Sequence, residues 1–517
     1  MAMDQADRRA CAAAEAAALG DLVERNLIGR LWQRDASIFG LGAEATRQIS
    51  AHLGWLFRLV PEHGAIEELV TVAKVAERHN VKRVLVVGDA TACAWVEVVG
   101  RHLRQRRGAA VSTLSSLHPE AVAGAADLLR GKDALLVLLA SPTAGPDDVV
   151  SATWPPLRAA LGDDSRVALV TLGRADDADA DHAERTARAL GLRPSELRLC
   201  RALPAGVDSR FLTGSSAGLL VAALVGANVR GAVERIDELA ADLRDADVGG
   251  HPAAPLAAWL AGVLGSGHRH LQIAVGRDIR AFGSWIAALL QGADLRDSAG
   301  ARITVVAAPL PTRGPAVALP RTAVVAISTF EAPDDAAVDA AEDAGVPTWR
   351  LVLPEPIDLW AEALRWQAAV ALLGALVGRD TVTGVSATTA ATGEPQAPEA
   401  TAKVARLVEI DAWLRPRVAH VSAADHVAIR CALAPTEAQR DRALGLQAHL
   451  QEQTAATVSV SFGPGPASDD DAATLRVWVA DAAGAAELQR WQTQRAAPQL
   501  RVELDPLAAG TAVAAPA

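Results

Sequence analysis

Tyrosine is absent from these 517 residues, and lysine occurs only at Lys74, Lys82, Lys132 and Lys403, so nearly all positive charge is arginine. A mechanism that needs a lysine has only those candidates. Cysteine is equally scarce: Cys11, Cys93, Cys200 and Cys431 stand too far apart in sequence for a CxxC metal pair or a disulfide framework, and each reads as a small buried residue. A basic excess is also missing, with 50 Lys and Arg against 61 Asp and Glu and a net charge of -11. That balance argues against nucleic acid as a partner. The longest apolar stretches, residues 217–229 and 368–378, fall short of the roughly 20 residues that span a bilayer, and each fits a buried helix. The N-terminal segment after Arg8 and Arg9 carries Glu15, Asp21 and Glu24, so it offers no uninterrupted apolar signal core, and the expected location is cytoplasmic.

Half the residues are hydrophobic and 21% are charged, which describes a globular chain with more than one core. Amphipathic helical patterns cover residues 18–32 and 43–59, and another helix ends near Asn80. Continuous apolar runs at 84–88, 134–140 and 167–171 then alternate with helical periodicity, a short segment at 109–113 lying between the first two. Strands without polar alternation, separated by helices, predict a parallel sheet covered on both faces. A helix-rich middle, 214–265, leads into a second such series: 271–275, a helix over 279–290, 303–307, 323–328, a helix over 333–344, and 350–353. A Thr-, Ala-, Pro- and Gly-rich stretch, 381–402, reads as an irregular connection. Beyond it come strand-like 427–433, a helix over 436–453, strand-like 457–462 and 475–479, and a final helix and strand to 504. The expected layout is a helical segment 1–62, α/β domains 63–210 and 211–380, the linker 381–402, a C-terminal α/β extension 403–507 and a disordered tail 508–517. In such sheets ligands sit at the carboxyl ends of strands, which singles out the loops 88–93, 141–147, 208–216 and 276–279.

Several segments resemble bacterial phosphoglucose isomerases, especially the isomerase part of bifunctional transaldolase/phosphoglucose isomerase chains. They are Leu31-Trp32-Gln33-Arg34-Asp35-Ala36-Ser37-Ile38-Phe39 with His52-Leu53-Gly54-Trp55-Leu56, then Asp208-Ser209-Arg210-Phe211 through Gly226-Ala227-Asn228-Val229. Ala281-Phe282-Gly283-Ser284-Trp285 is similar to the family's ASFGxW, Glu362 with Arg365-Trp366 to GGEFFRWE, and Phe462-Gly463-Pro464 to the start of GFGPRFLHSTGQLHKGG. The resemblance runs from about residue 25 to 505 and implies α/β architecture: two sugar-isomerase doubly wound parallel-sheet domains with a C-terminal α/β extension.

The chemistry the resemblance implies needs a phosphate cradle, a ring-opening acid/base, a carboxylate base and a positive group at the enediolate. The family's first loop, GMGGSS, is here Gly88-Asp89-Ala90-Thr91-Ala92-Cys93, with an acid where an anion would be repelled. The second, SKSGTT, is Ser141-Pro142-Thr143-Ala144-Gly145-Pro146, where two prolines remove N–H donors. Gly88, Thr91, Ser141, Thr143 and Gly145 are the candidate phosphate-binding residues, although an ordinary strand-to-helix turn accounts for both loops. The family's base falls on Gly292; Asp294 or Asp297 would replace it only with a shifted loop. The family's lysine falls near Ala391 or, with a gap, Thr401, with Lys403 out of register. The His-bearing tip is replaced by Gly465-Pro466-Ala467-Ser468-Asp469-Asp470-Asp471. Arg210 matches the enediolate arginine, and a structural pairing with Asp208 explains it equally well.

Glu362 and Arg365 read as scaffold, Ser215 and Ser216 as helix caps, and His268 and His270 as a solvated loop pair rather than metal ligands. No metal and no cofactor is expected. The sequence thus leads to a phosphoglucose-isomerase-like protein of sugar-phosphate metabolism, degenerate at its catalytic motifs and acting by binding or regulation. The alternative is an active glucose-6-phosphate isomerase with a rearranged site built on Arg210 and Asp294 or Asp297. The expected partners are a sugar phosphate and, by association, a second copy of the chain or another sugar-phosphate enzyme.

Overall fold

A computed structural model describes residues 5–57, 61, 63–105, 108–140, 149–162, 166–171, 182–193, 197–204, 206–207, 209–245, 247–293, 295–296, 303–307, 321–330, 335–383, 400–404, 426–432, 443, 446, 457–462, 475–480 and 499–504. Four helices come first: α1 (Gln5–Glu24), α2 (Leu27–Trp32), α3 (Ala43–His52) and α4 (His63–Arg78). A first α/β series follows: β1 (Arg83–Val87), α5 (Ala90–Val98), β2 (Ala110–Leu114), α6 (Pro119–Arg130), β3 (Ala134–Ala140), α7 (Val149–Leu161), β4 (Val167–Thr171), α8 (His182–Ala189) and β5 (Leu197–Ala202). After α9 (Ser216–Leu224), α10 (Val229–Leu243) and α11 (Ala254–Gly265) a second series holds β6 (His270–Val275), α12 (Arg280–Gln291), β7 (Thr304–Ala307), β8 (Thr322–Thr329), α13 (Asp335–Asp343), β9 (Thr348–Leu353) and α14 (Leu359–Val377). The last strands are β10 (Ala400–Val404), β11 (His426–Ala432), β12 (Thr457–Phe462), β13 (Leu475–Ala480) and β14 (Gln499–Leu504).

These strands form three parallel sheets, ordered β2-β1-β3-β4-β5, β7-β6-β8-β9 and β10-β14-β13-β11-β12. All three share one winding. In each, the second strand of a series lies on one side of the first, and the third and fourth extend the other side; the third sheet adds β10 at its far edge. Reversal of the winding beside the first strand creates the crevice where doubly wound sheets take ligands. In the first sheet that crevice opens after β1 and β3, in the second after β6 and β8.

The apolar runs read from sequence became the central strands: every residue of β3 and β4 is buried. One continuous core joins the inner faces of the first two sheets through Val84, Val137, Ile273 and Val325, with α5, α9, α12 and α14 between them. Tryptophan fills it. Trp95, Trp285 and Trp360 are fully buried, and Trp95 packs on both others, its ring centroid 5.4 Å from that of Trp285 and 4.9 Å from that of Trp360.

Several expectations are corrected. Helix α1 begins well before residue 18; it packs closely on α11, with Cys11 and Glu15 against Gly262 and Ala14 against Gly265, so the contact leaves no amphipathic stripe to read. The pattern over 18–32 breaks at Asn26, which takes a left-handed conformation between α1 and α2. Strand β5 was not anticipated, because it is an edge strand in which Arg198 and Arg201 interrupt the apolar signal, and its Cys200 is exposed rather than buried. His268 and His270 are buried, not solvated: His268 Nδ1 lies 2.9 Å from Ser266 Oγ, and His270 begins β6. Burial and neighbouring Arg269 lower the His270 pKa to about 4. The stretch read as a linker contributes strand residues 400–402 at one end and the buried Thr381 at the other. The helix expected over 436–453 and the tail 508–517 lie outside the described residues, apart from helical residues 443 and 446.

Candidate functional site

Arg210 sits in the turn between β5 and α9, 5% exposed. Its Nη1 donates to the carbonyl of Gly292, where α12 ends, at 3.0 Å, and to that of Thr381, beyond α14, at 3.1 Å. The guanidinium carbon lies 5.3 Å from the centre of the Phe211 ring, which stacks in turn on Trp55 at 4.7 Å and an interplanar angle of 10°. The segment is also fixed through its main chain: Gln367 Nε2 donates to the Arg210 carbonyl at 2.9 Å, and Gln367 Oε1 accepts from Thr213 Oγ1 at 3.0 Å. Gln367 is 1% exposed. Hydrogen bonds involving a charged donor contribute roughly 1.5–3 kcal/mol each, so the arginine ties three elements together.

The structure therefore brings Arg210 against the position that the resemblance aligned with the family's base. A side chain at that position would have to displace Arg210. A Cβ on Gly292 would stand 2.8 Å from Arg210 Cδ, and the Gly292 carbonyl already accepts from the guanidinium. The substitutes considered for the base, Asp294 and Asp297, lie outside the described residues, as does Asp208, the expected partner of Arg210.

Gly88 and Thr91 occupy the first sheet's crevice, where β1 turns into α5. Gly88 is buried against Leu139, 3.1 Å from the position a Cβ would take. Asp89 caps α5: its Oδ1 accepts from the N–H of Thr91 at 2.9 Å and of Ala92 at 3.0 Å. These amides are the donors that a helix N-terminus would otherwise direct at an anion. A carboxylate built into the chain already holds them. The paired loop, with Ser141, Thr143 and Gly145, lies outside the described residues, and the side chain of Lys403 on β10 is likewise not described.

No protein-family model matches the sequence, and no curated protein does. Solved structures do match. One is a hypothetical protein from Thermus thermophilus, 17% identical with a TM-score of 0.53, over 72% of this chain and 96% of that one. Another is a glucose-6-phosphate isomerase from Chlamydia trachomatis, 12% identical with a TM-score of 0.51, over 72% of this chain and 84% of that one. The chain has the double-sheet α/β fold of sugar-phosphate isomerases. Within that sugar-isomerase fold, likeness at such identities concerns architecture, and the chemistry rests on the residues present.

Among those residues, Glu362 and Arg365 form a pair at 3.2 Å on α14, with Glu362 2% exposed. Burial raises the Glu362 pKa to about 7; the Arg365 guanidinium opposes the shift, as does the Trp366 indole one turn along, although it lies outside hydrogen-bond geometry. Ser215 Oγ accepts from the N–H of Ala217 at 3.3 Å, the cap expected for α9. Among the described residues no group of three or more His, Cys, Asp or Glu side chains is placed to hold a metal, and no helix is long and apolar enough to cross a membrane. Sequence reasoning missed Gln367 and Thr381, which hold Arg210. Gln367 carried a signal, as the lone polar residue between Trp366 and Val377 in an apolar helix; Thr381 acts through its carbonyl and carried none.

Proposed function

We propose that this chain is a sugar-isomerase-fold protein that binds or regulates within sugar-phosphate metabolism instead of isomerising. The observation that carries the reading is the Arg210–Gly292 contact. An isomerase needs a carboxylate beside its enediolate-stabilising arginine; here that place is glycine, and the arginine is engaged by two backbone carbonyls. The capping of α5 by Asp89 supports the same reading, since it sets a negative charge where a sugar phosphate would be held. Such a protein would act through association, with a second copy of itself or with another sugar-phosphate enzyme.

A second reading keeps the activity. Arg210 is buried beside the end of α12, and Asp294 follows Gly292 by two residues in sequence, so a rebuilt glucose-6-phosphate isomerase site would use that acid. Conversion of fructose 6-phosphate to glucose 6-phosphate, measured at high protein concentration with material from a host lacking its own isomerase, separates the two. The expected result is no turnover. Turnover that Arg210→Ala abolishes would overturn the binding reading and establish the rebuilt site.

A further inference from the structure

The first two α/β units meet where α5 lies against α12, and one histidine crosses that seam. Helix α5 continues into a π-helical turn, Val99–Leu103, which turns His102 toward the start of α12. The His102 Nε2 accepts the N–H of Ala281 at 3.0 Å. An imidazole that accepts at Nε2 carries its proton at Nδ1 and is neutral. Helix α12 has no cap of its own, because Ile279 stands at the cap position and its side chain cannot accept. Its N-terminal cap comes from the other unit.

We propose that His102 is a pH-operated latch between the two units: neutral, it caps α12 and holds the seam closed, and once protonated it releases α12 and lets the seam open. Protonation replaces the acceptor lone pair with a donor that faces another donor. It also sets a positive charge at the positive end of a helix dipole. Both effects favour separation.

The surrounding charges set where the latch acts. Burial, and after it Arg101 on the same turn, lower the imidazole pKa below its ordinary 6.5, while Asp278 from the turn before α12 opposes them. On the second unit Arg277 and Arg280 stand in sequence on either side of Asp278 and Ile279, and both are exposed. Glu97, one turn back on α5, is 3.5 Å from Arg101 and accepts from Thr113. Helix α9, packed on the turn, has no ionisable side chain. The nearby turn Pro356–Asp358 presents Asp358, held by Arg235 at 3.1 Å, beside Glu355. Two further histidines, both buried, cap helices, His118 on α6 and His251 on α11, but each does so within its own part of the chain. They loosen a helix, not the seam.

The seam carries its own reporter, because Trp95 on α5 and Trp285 on α12 pack across it at 5.4 Å. Near-ultraviolet circular dichroism of the full chain is followed from pH 8 to 4, with the far-ultraviolet signal recorded in parallel. The wild type is expected to lose the tryptophan signal below pH 6.5 while helix content persists, and His102→Gln, whose amide oxygen reaches the place of Nε2 and accepts but does not titrate, to abolish that step. His251→Asn should leave it in place. A step shared unchanged by wild type and His102→Gln, or tryptophan and helix signals that fall together in the wild type, would overturn the latch. Should His102→Gln not fold, hydrogen exchange of the wild-type segment 280–291 decides. Its opening constant, corrected for intrinsic rate, should rise up to tenfold per pH unit below 6.5, and a pH-independent constant refutes the proposal.

Discussion

Asp89 and a bound phosphate would compete for the same donors, the amides of Thr91 and Ala92. The carboxylate is always present at high effective concentration, so it wins unless it is removed. Its own contribution is that of an N-cap, and Asp89→Ala is expected to cost about 1 kcal/mol of stability, the usual loss for this change. Urea unfolding of the two proteins measures it; equal midpoints would mean that the cap contributes nothing. The acid was legible in the sequence as a charge that would repel an anion; that its carboxylate takes the first amides of α5 as a cap is what the structure adds. The environment of Arg210 was not. Its acceptors are backbone carbonyls 82 and 171 residues away, and a carbonyl has the same chemistry in every residue, so no side-chain pattern marks the partner. What could be read was the glycine at 292; that it is pressed against the arginine needed three dimensions.

At the scale of elements, α14 shows how burial sets a titration. The helix is buried along nearly its whole length, with Glu362 among its interior residues. The folded state holds the Glu362 proton up to about pH 7, whereas an ordinary carboxyl releases it near 4.5. Between those values the folded protein binds more protons than the unfolded one, so stability is full below pH 4.5 and declines as pH rises through 7. The shift corresponds to at most about 3 kcal/mol. Glu362→Gln removes the titrating group, and the difference in unfolding free energy between wild type and variant should therefore change in favour of the variant from pH 5 to 8. A difference independent of pH would mean that Glu362 is charged in the fold throughout. Elements differ in legibility for a related reason. Strand β3 is buried on both faces and reads as an unbroken apolar run, whereas β5 at the sheet edge exposes alternate residues, Arg198 among them, and helix α1 packs its Cys11, Ala14 and Glu15 on the glycines of α11. Burial on one narrow contact leaves a weaker pattern than burial all round.

For the molecule as a whole, the three sheets repeat one winding but do not share one core. The inner faces of the first two sheets belong to a single cluster that includes Trp95, Trp285 and Trp360, while their outer faces are covered separately, by α6 and α7 on the first and by α13 on the second. Neither unit can be exposed without opening that common interior. The third sheet differs: its buried residues Val427, Ile429, Cys431 and Val479 belong to none of these clusters, and among the described residues its main approach to the rest is at β12 beside β7, two edge strands. Cooperativity follows shared burial, so the first two units should unfold together and the third independently. A chain ended at residue 399 is accordingly expected to keep the near-ultraviolet tryptophan signal and the main thermal transition within a few degrees of the full-length protein. The full-length protein should show one additional transition, which the shortened chain lacks. Collapse of the tryptophan signal on truncation would instead mean that the edge contact at β7 holds the second sheet in place, and the third unit would then be a structural support of the common core.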